Sequence, residues 1–418
     1  MINKSKAFIN RFIKHPLFSG SLIMVGGNMG ANVINYFYHL VMGRILGPVN
    51  YGVLASLYSI LYLIGIIPTA SSVSVVKFIS SAEDENIYSV YAVISKFVLK
   101  ASVVLSMLLF FLSPLIANFL HIKDVWAVVL LSPILFLTLT TLVNQATSQG
   151  VLQFLGTVVP TLFSSLTKLV LGVVLVYLGF SVFGAMAAIM VGLLLAFIAS
   201  RVYIHKNVKI SKIHNFDIKP FLTYSLPVLV QALSFTSLFT VDVLLVKHFF
   251  SPFEAGIYAA ISTLGKIIFF TTSPVTATMF PIVSKRKSVG ESYHKVFLFA
   301  VGIIILASAA ITFFYWFFPE LAIGALYGSA YLAAKSELVW MGVFISLYSL
   351  TNLLVNYSLS LGSSRVIIFP LLGAAAQIPL IWIWHGTLLT VIQVSLGITM
   401  LMFLGSLGYL GYNRLLKA

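Results

Sequence analysis

Apolar runs of twenty or more residues follow one another along this chain, each closed by a short polar or glycine-proline break. A helix needs about 20 apolar residues to cross the hydrocarbon core of a bilayer. The pattern predicts twelve such helices, at 20–44, 52–79, 88–112, 125–148, 152–178, 182–204, 220–247, 255–280, 294–318, 336–361, 364–384 and 388–411. The shortest connections fall within 125–178 and 364–411. The runs are too long for strands of a membrane barrel and lack their period-two alternation. Several exceed the minimum length, which allows tilt or ends that protrude among headgroups.

Composition narrows the class further. Of 418 residues, 60% are hydrophobic and only 8% charged, with a mean hydropathy of +1.05. Soluble domains carry about 25% charged residues, so this chain cannot cover a soluble surface. The expected fold is all-α and polytopic, and no linker is long enough for a separate soluble domain. A net charge of +15 would suggest nucleic acid in a soluble protein. Here the basic residues lie mostly between apolar runs, where the positive-inside bias explains them without nucleic acid. With the N-terminus inside, 17 of the 25 Lys and Arg fall on inner loops and termini. Only Arg44, Lys123, Lys247 and Lys335 fall outside, and Lys96, Lys100, Lys168 and Lys266 fall within spans. Both termini are therefore expected in the cytoplasm of a multi-pass cell-membrane protein. The basic start, "MINKSKAFINRFIKHPLF", leads into a run with three asparagines and no small-residue cleavage site. It fits a retained first span better than a signal peptide. The chain has no cysteine and hence no disulfide.

The longest inner connection, "HKNVKISKIHNFDIKP", leaves six spans before it and six after. It divides the chain into two bundles, 1–210 and 211–418. Shifting the sequence by 204 residues superposes Pro48 on Pro252, Gly52 on Gly256, Ala55 on Ala259 and Ser80 on Ser284. The turn "GRILGPVNYG" thus returns as "HFFSPFEAGIY". A second echo, offset by 212, pairs Val143, Asn144 and Gly150 with Val355, Asn356 and Gly362. Both halves start from the same side, so the repeats are parallel, an arrangement found in transporters that open alternately to either side.

Chemistry is sparse. There is no HExxH, no P-loop, no dinucleotide glycine pattern and no paired carboxylates in one loop. Three of the ten acidic residues sit together as "EDE" at 83–85, which reads as a solvated loop. The largest outer loop, "FFPELAIGALYGSAYLAAK", holds one glutamate before its closing lysine. No catalytic residue, metal site or cofactor is assigned, and an enzyme is not expected. The informative residues are those costly to place in lipid. Lys96 and Lys100 share a face of the third span and either snorkel to the inner edge or face a cavity. Lys168 and Lys266 lie deeper, where an aqueous cavity attractive to phosphate or pyrophosphate is the alternative to pairing. Asp242 either pairs with a lysine, binds a cation or carries a proton. Asn28, Asn32, Asn35 and His39 form a stripe on the first span, suited to interhelical hydrogen bonds or to sugar hydroxyls and headgroups. Prolines 68, 133, 160, 227 and 274 interrupt spans, as gates or as static kinks. Trp126, Trp316, Trp340, Trp382 and Trp384 suit the interfacial belts.

"GRILGPVNYGVLASLYSI", its counterpart "DVLLVKHFFSPFEAGIYAAISTLGKIIFF" and "VTATMFPIVSK" resemble the polysaccharide-biosynthesis transport proteins. These are flippases of lipid-linked oligosaccharides within the multidrug/oligosaccharidyl-lipid/polysaccharide exporter superfamily. The resemblance covers essentially the whole chain. It implies two six-helix bundles in a V that alternate between inward and outward openings. It also implies a polyprenyl-pyrophosphate-linked glycan as cargo, destined for lipopolysaccharide, capsule or another cell-surface glycan. A glycan polymerase or glycosyltransferases would be the protein partners. Basic cavity residues are expected to hold the pyrophosphate, which makes Arg44, Lys96, Lys100, Lys168, Lys266, Asn28, Asn32 and Asn35 candidate headgroup contacts. Asp242 is the candidate for coupling to a proton or sodium gradient. Two rivals stand beside this reading. A multidrug or small organic solute exporter would favour buried carboxylates, of which only Asp242 is present. A membrane enzyme or scaffold of polysaccharide assembly would need a reactive outer loop or a large interaction segment.

Overall fold

The computed structural model describes residues 16–83, 86–208 and 219–415. Its long elements are helices: α1 (Pro16–Ile64), α2 (Ile66–Ser80), α3 (Ile87–Phe119), α4 (Val125–Val129), α5 (Leu131–Gly150), α6 (Leu155–Leu175) and α7 (Ser181–Asn207). There follow α8 (Lys219–Phe249), α9 (Pro252–Ser288), α10 (His294–Phe317), α11 (Pro319–Leu326), α12 (Glu337–Ser360), α13 (Ile368–Ile383) and α14 (Leu388–Leu415). Among the described residues, ten helical segments are long and apolar enough to cross a membrane. Two of these, Ile23–Ser80 and Leu155–Asn207, run to 58 and 53 residues. At 1.5 Å per residue each would reach about 80 Å if straight, far beyond a hydrocarbon core of roughly 30 Å. Both are broken at a glycine. Gly47 has φ 69° and ψ 172°, and Gly179 has φ 93° and ψ 2°. Beyond Gly179 the chain reverses, since α6 and α7 pack against each other along their lengths. Divided at these breaks, the ten segments make the expected twelve crossings. The chain is a multi-pass membrane protein. The termini whose cytoplasmic placement was expected, and the inner connection between the halves, lie largely outside the described residues.

The chain divides into two compact units. The first holds the residues up to 45 with Ile64–Leu229, and the second holds Leu46–Leu63 with the residues from 230 onward. In the first unit α5 is the hub, packing on α2, α3, α6 and α7. Ser132 on α5 donates to the Ser106 carbonyl of α3 at 2.6 Å, a close approach that small residues allow in lipid. Tyr91 donates to Asn144 Oδ1 at 2.9 Å, Asn144 Nδ2 donates to Ser200 at 3.3 Å, and Arg201 donates to Tyr91 at 2.9 Å. That network ties α3, α5 and α7.

The second unit repeats the scheme. Its hub is α12, which packs on α9, α10 and α14, and α13 packs on α14. Met279, Val283, Ala300, Ile304, Leu353 and Tyr357 form one continuous core cluster across α9, α10 and α12. Asn144 and Asn356, matched by the 212-residue offset, therefore sit on the two hub helices. The second unit also takes in Leu46–Leu63, which follows the Gly47 break. Tyr51 is fully buried, within 3.0 Å of the Tyr327 hydroxyl and 3.2 Å of Thr263 Oγ1. The tyrosine pair draws in two short elements, α11 and a 3-10 turn at Ser329–Ala334, where the sequence pattern predicts a loop. Gly52 and Gly256, matched by the 204-residue offset, meet at this crossing. A Cβ on Gly52 would lie 2.8 Å from the Gly256 nitrogen, and one on Gly256 would overlap the Pro48 carbonyl.

The two copies of the repeated turn use different local chemistry. The first relies on Gly47, whose backbone lies in a region essentially reserved for glycine. The second is a capping box. Ser251 Oγ accepts from Glu254 N at 3.3 Å, Ser251 N donates to Glu254 Oε2 at 3.1 Å, and Pro252 stands at the first helical position. Both solutions satisfy or avoid the open N–H groups at a helix start.

Candidate functional site

Each unit buries one lysine against the first long helix of its own half. In the first unit Lys168 falls on the buried stripe of α6 with Ser165 and Gly172 and is 9% exposed. It donates to Asn35 Oδ1 at 2.6 Å, and its ammonium lies 4.7 Å from the centre of the Tyr38 ring. Tyr38 is held in place by its hydroxyl, which donates to the Ala185 carbonyl of α7 at 3.2 Å. Gly172 makes room for that ring, since a Cβ there would approach a Tyr38 ring carbon to 2.9 Å. The Lys168 ammonium thus meets an aromatic face and an amide oxygen, two kinds of group that favour a cation taken out of water.

In the second unit the corresponding place on α8 carries Asp242, 1% exposed. Its Oδ2 accepts from the Tyr258 hydroxyl at 2.7 Å and its Oδ1 from Val243 N at 2.9 Å. Lys266, on α9, is 8% exposed and lies 4.6 Å from the centre of the Phe239 ring. It makes no ion pair within 4 Å with Asp242, although the two charges attract. The 204-residue offset places Asn35 on Phe239 and Tyr38 on Asp242. The same two positions of a first helix therefore receive a lysine in each half, delivered by α6 in one and by α9 in the other.

Of the expected site residues, the structure joins Asn35 with Lys168 and sets Lys266 near Asp242. Asn28, Asn32, Arg44, Lys96 and Lys100 are exposed. Lys96 and Lys100 lie across α3 from its buried stripe of Ile94, Val98 and Ser102. Lys247, counted from the sequence among the outer charges, is buried at the end of α8. Tyr38, Phe239 and Tyr258 complete the clusters and were not singled out from the sequence. The 204-residue offset carried the signal for the first two, because it maps onto Asp242 and Asn35. Nothing local to Tyr258 marks it as the partner of a carboxylate 16 residues away. Among the described residues no group of three or more His, Cys, Asp or Glu is placed to hold a metal ion.

Residues 41–336, well over half of the chain, match the family model described as polysaccharide biosynthesis protein. The chain belongs to that family. No curated protein matches it in sequence. Its fold is shared with solved transporters of the MOP superfamily. A multidrug resistance MATE family transporter, in an inward-facing conformation, superposes with a TM-score of 0.76 at 15% identity, over 91% of this chain and 94% of that one. The lipid II flippase MurJ, in an inward closed conformation, gives 0.73 at 14% identity, over 93% and 87%. A MOP superfamily transporter from Pyrococcus furiosus gives 0.62 at 17% identity, over 96% and 94%. At these identities the likeness concerns the fold: an all-α, polytopic architecture of ten to twelve transmembrane helices.

Proposed function

We propose that this member of the polysaccharide biosynthesis protein family is a membrane transporter that carries a lipid-linked glycan from the inner to the outer leaflet. The family match over residues 41–336 carries the glycan part of that reading. The fold shared with MurJ, a lipid II flippase by its description, supports the transport part. A charged headgroup placed at the centre of a bilayer costs at least about 2.5–3.5 kcal/mol per charge. A transporter replaces lost water with fixed polar groups and changes the side to which they open. No bond is made or broken. In this reading the buried lysines Lys168 and Lys266 contact the pyrophosphate, and Arg44, Lys96, Lys100, Asn28 and Asn32 line its route. Asp242 couples the cycle to a proton or sodium gradient, and the termini face the cytoplasm. Glycan polymerase or glycosyltransferases are the protein partners.

A second reading has its own support. The first solved structure described above is a multidrug exporter, and by fold alone export of small organic solutes fits this chain at least as well. Purified protein in liposomes separates the two. A flippase moves a fluorescent polyprenyl-pyrophosphate glycan between leaflets and leaves organic cations in place. Gradient-driven efflux of organic cations, with no glycan movement, would establish the exporter instead. Ion coupling is tested in the same vesicles with Asp242→Asn, which is expected to lose its response to an imposed proton or sodium gradient. An unchanged response would remove Asp242 from that role.

A further inference from the structure

Lys168 and Lys266 differ in what remains of their hydrogen-bonding capacity. Lys168 already donates to Asn35. The Lys266 ammonium donates to no described residue. Asp242, its nearest opposite charge, has one carboxylate oxygen bonded to Tyr258 and the other to Val243 N. The N–H groups that are not turned to the Phe239 ring are therefore open to an acceptor. An anionic acceptor that arrives with a ligand can make a charge-assisted hydrogen bond at such a position.

The surroundings specify more than charge. Phe239, under the Lys266 ammonium, is the centre of an aromatic cluster. Tyr62 and Phe270 pack edge-on to it, with ring centres 6.4 Å and 6.1 Å away. Both of these outer rings are exposed, at 37% and 41%, whereas Phe239 is buried. Phe270 stands one helical turn from Lys266 on α9, and so shares its face. Tyr62 comes from the Leu46–Leu63 segment that belongs to the same unit. Partly exposed rings in the same aromatic cluster that carries the ammonium match a ligand that joins an anion to a ring with an apolar face.

We propose that Lys266, Tyr62 and Phe270 form a subsite for a glycosyl phosphate, in which Lys266 binds a phosphate oxygen and the two rings pack on the first sugar. The assignment rests on the glycan reading above and names the part of the cargo that this unit recognises. Tyr62 and Phe270 then act as selectors of the sugar, and Lys266 as its anionic anchor.

Binding to the full chain in lipid nanodiscs, measured calorimetrically, tests this. The probes are a short-chain prenyl pyrophosphate and the same molecule linked to glucose or to N-acetylglucosamine. Wild type is expected to bind at least one sugar-bearing probe more tightly than the sugarless one. Tyr62→Ala and Phe270→Ala should each weaken that probe about tenfold, the scale of one aromatic contact, and leave the sugarless probe unchanged. Tyr62→Phe keeps the ring and should keep the affinity, which separates loss of stacking from loss of fold. Lys266→Gln should weaken all probes. Equal weakening of sugar-bearing and sugarless probes by the two alanine variants, or no weakening at all, overturns the subsite while leaving the flippase reading intact. Failure of wild type to bind any probe overturns both.

Discussion

Asp242 owes its position to two hydrogen bonds rather than to a contact ion pair. Removing the Tyr258 hydroxyl should therefore be felt. Tyr258→Phe leaves one oxygen of a buried carboxylate without its donor and is expected to cost about 1–3 kcal/mol. Thermal unfolding in detergent would reveal it as a lowered melting temperature, and an unchanged midpoint would show that solvent replaces the hydroxyl. The opposite expectation holds for the pair Lys335–Glu320, joined at 2.7 Å but largely exposed. The hydrogen bond from Lys335, and then its charge, hold the Glu320 carboxyl below its ordinary range. A depressed carboxylate contributes stability at neutral pH and loses it as pH falls through its folded-state value. Because water screens an exposed pair, Glu320→Gln should leave the melting curve unchanged between neutral and mildly acidic pH. A clear shift would mean that the pair holds α11 and the 3-10 turn in place.

Between elements, backbone approach matters more than side-chain chemistry. Gly256 lets two helices cross with Pro48 against it, and a methyl there would overlap the Pro48 carbonyl. Gly256→Ala is expected to destabilise by about 1–3 kcal/mol through overpacking. Gly302, inside α10, has nothing within 4 Å of its would-be Cβ, so Gly302→Ala should stabilise by up to about 1 kcal/mol through helix propensity. Opposite signs in one denaturation series would verify the crossing; equal effects would refute it. Gly47 isolates a third cause. Its would-be Cβ meets open space, yet φ is 69°. Gly47→Ala should lose about 1–3 kcal/mol from backbone strain alone. A neutral result would mean that the turn can adopt an ordinary conformation.

At the scale of the whole molecule, the positive-inside bias makes a claim about sidedness that labelling can check. The natural absence of cysteine makes single-cysteine variants clean reporters. Lys123 and Ser288 are both exposed, and the charge count places them on opposite faces. In intact cells an impermeant maleimide should label Lys123→Cys and spare Ser288→Cys until the membrane is opened. The reverse pattern would invert the topology and with it the assignment of cytoplasmic termini.

Sequence alone determined the membrane class, the crossings and the duplication. Each depends on a summed property: apolar length against bilayer thickness, basic residues against loops, or identities at a fixed offset. Such sums survive small errors at the ends of any helix. Even the short breaks expected at 149–151 and 385–387 were legible to within a few residues, since the helices stop at Gly150 and Ile383 and resume at Leu155 and Leu388. Tertiary structure decided what each polar side chain meets. Leu46–Leu63 joins the second unit because Gly52, Gly256 and Tyr51 permit a backbone crossing that no hydropathy profile records. Lys168 and Lys266 looked equivalent as buried cations, yet one is satisfied by Asn35 and the other keeps its donors. Partners 133 residues apart, as for Lys168 and Asn35, are brought together by helix packing. That packing depends on shape and contact between distant segments, not on the local pattern that fixes each helix.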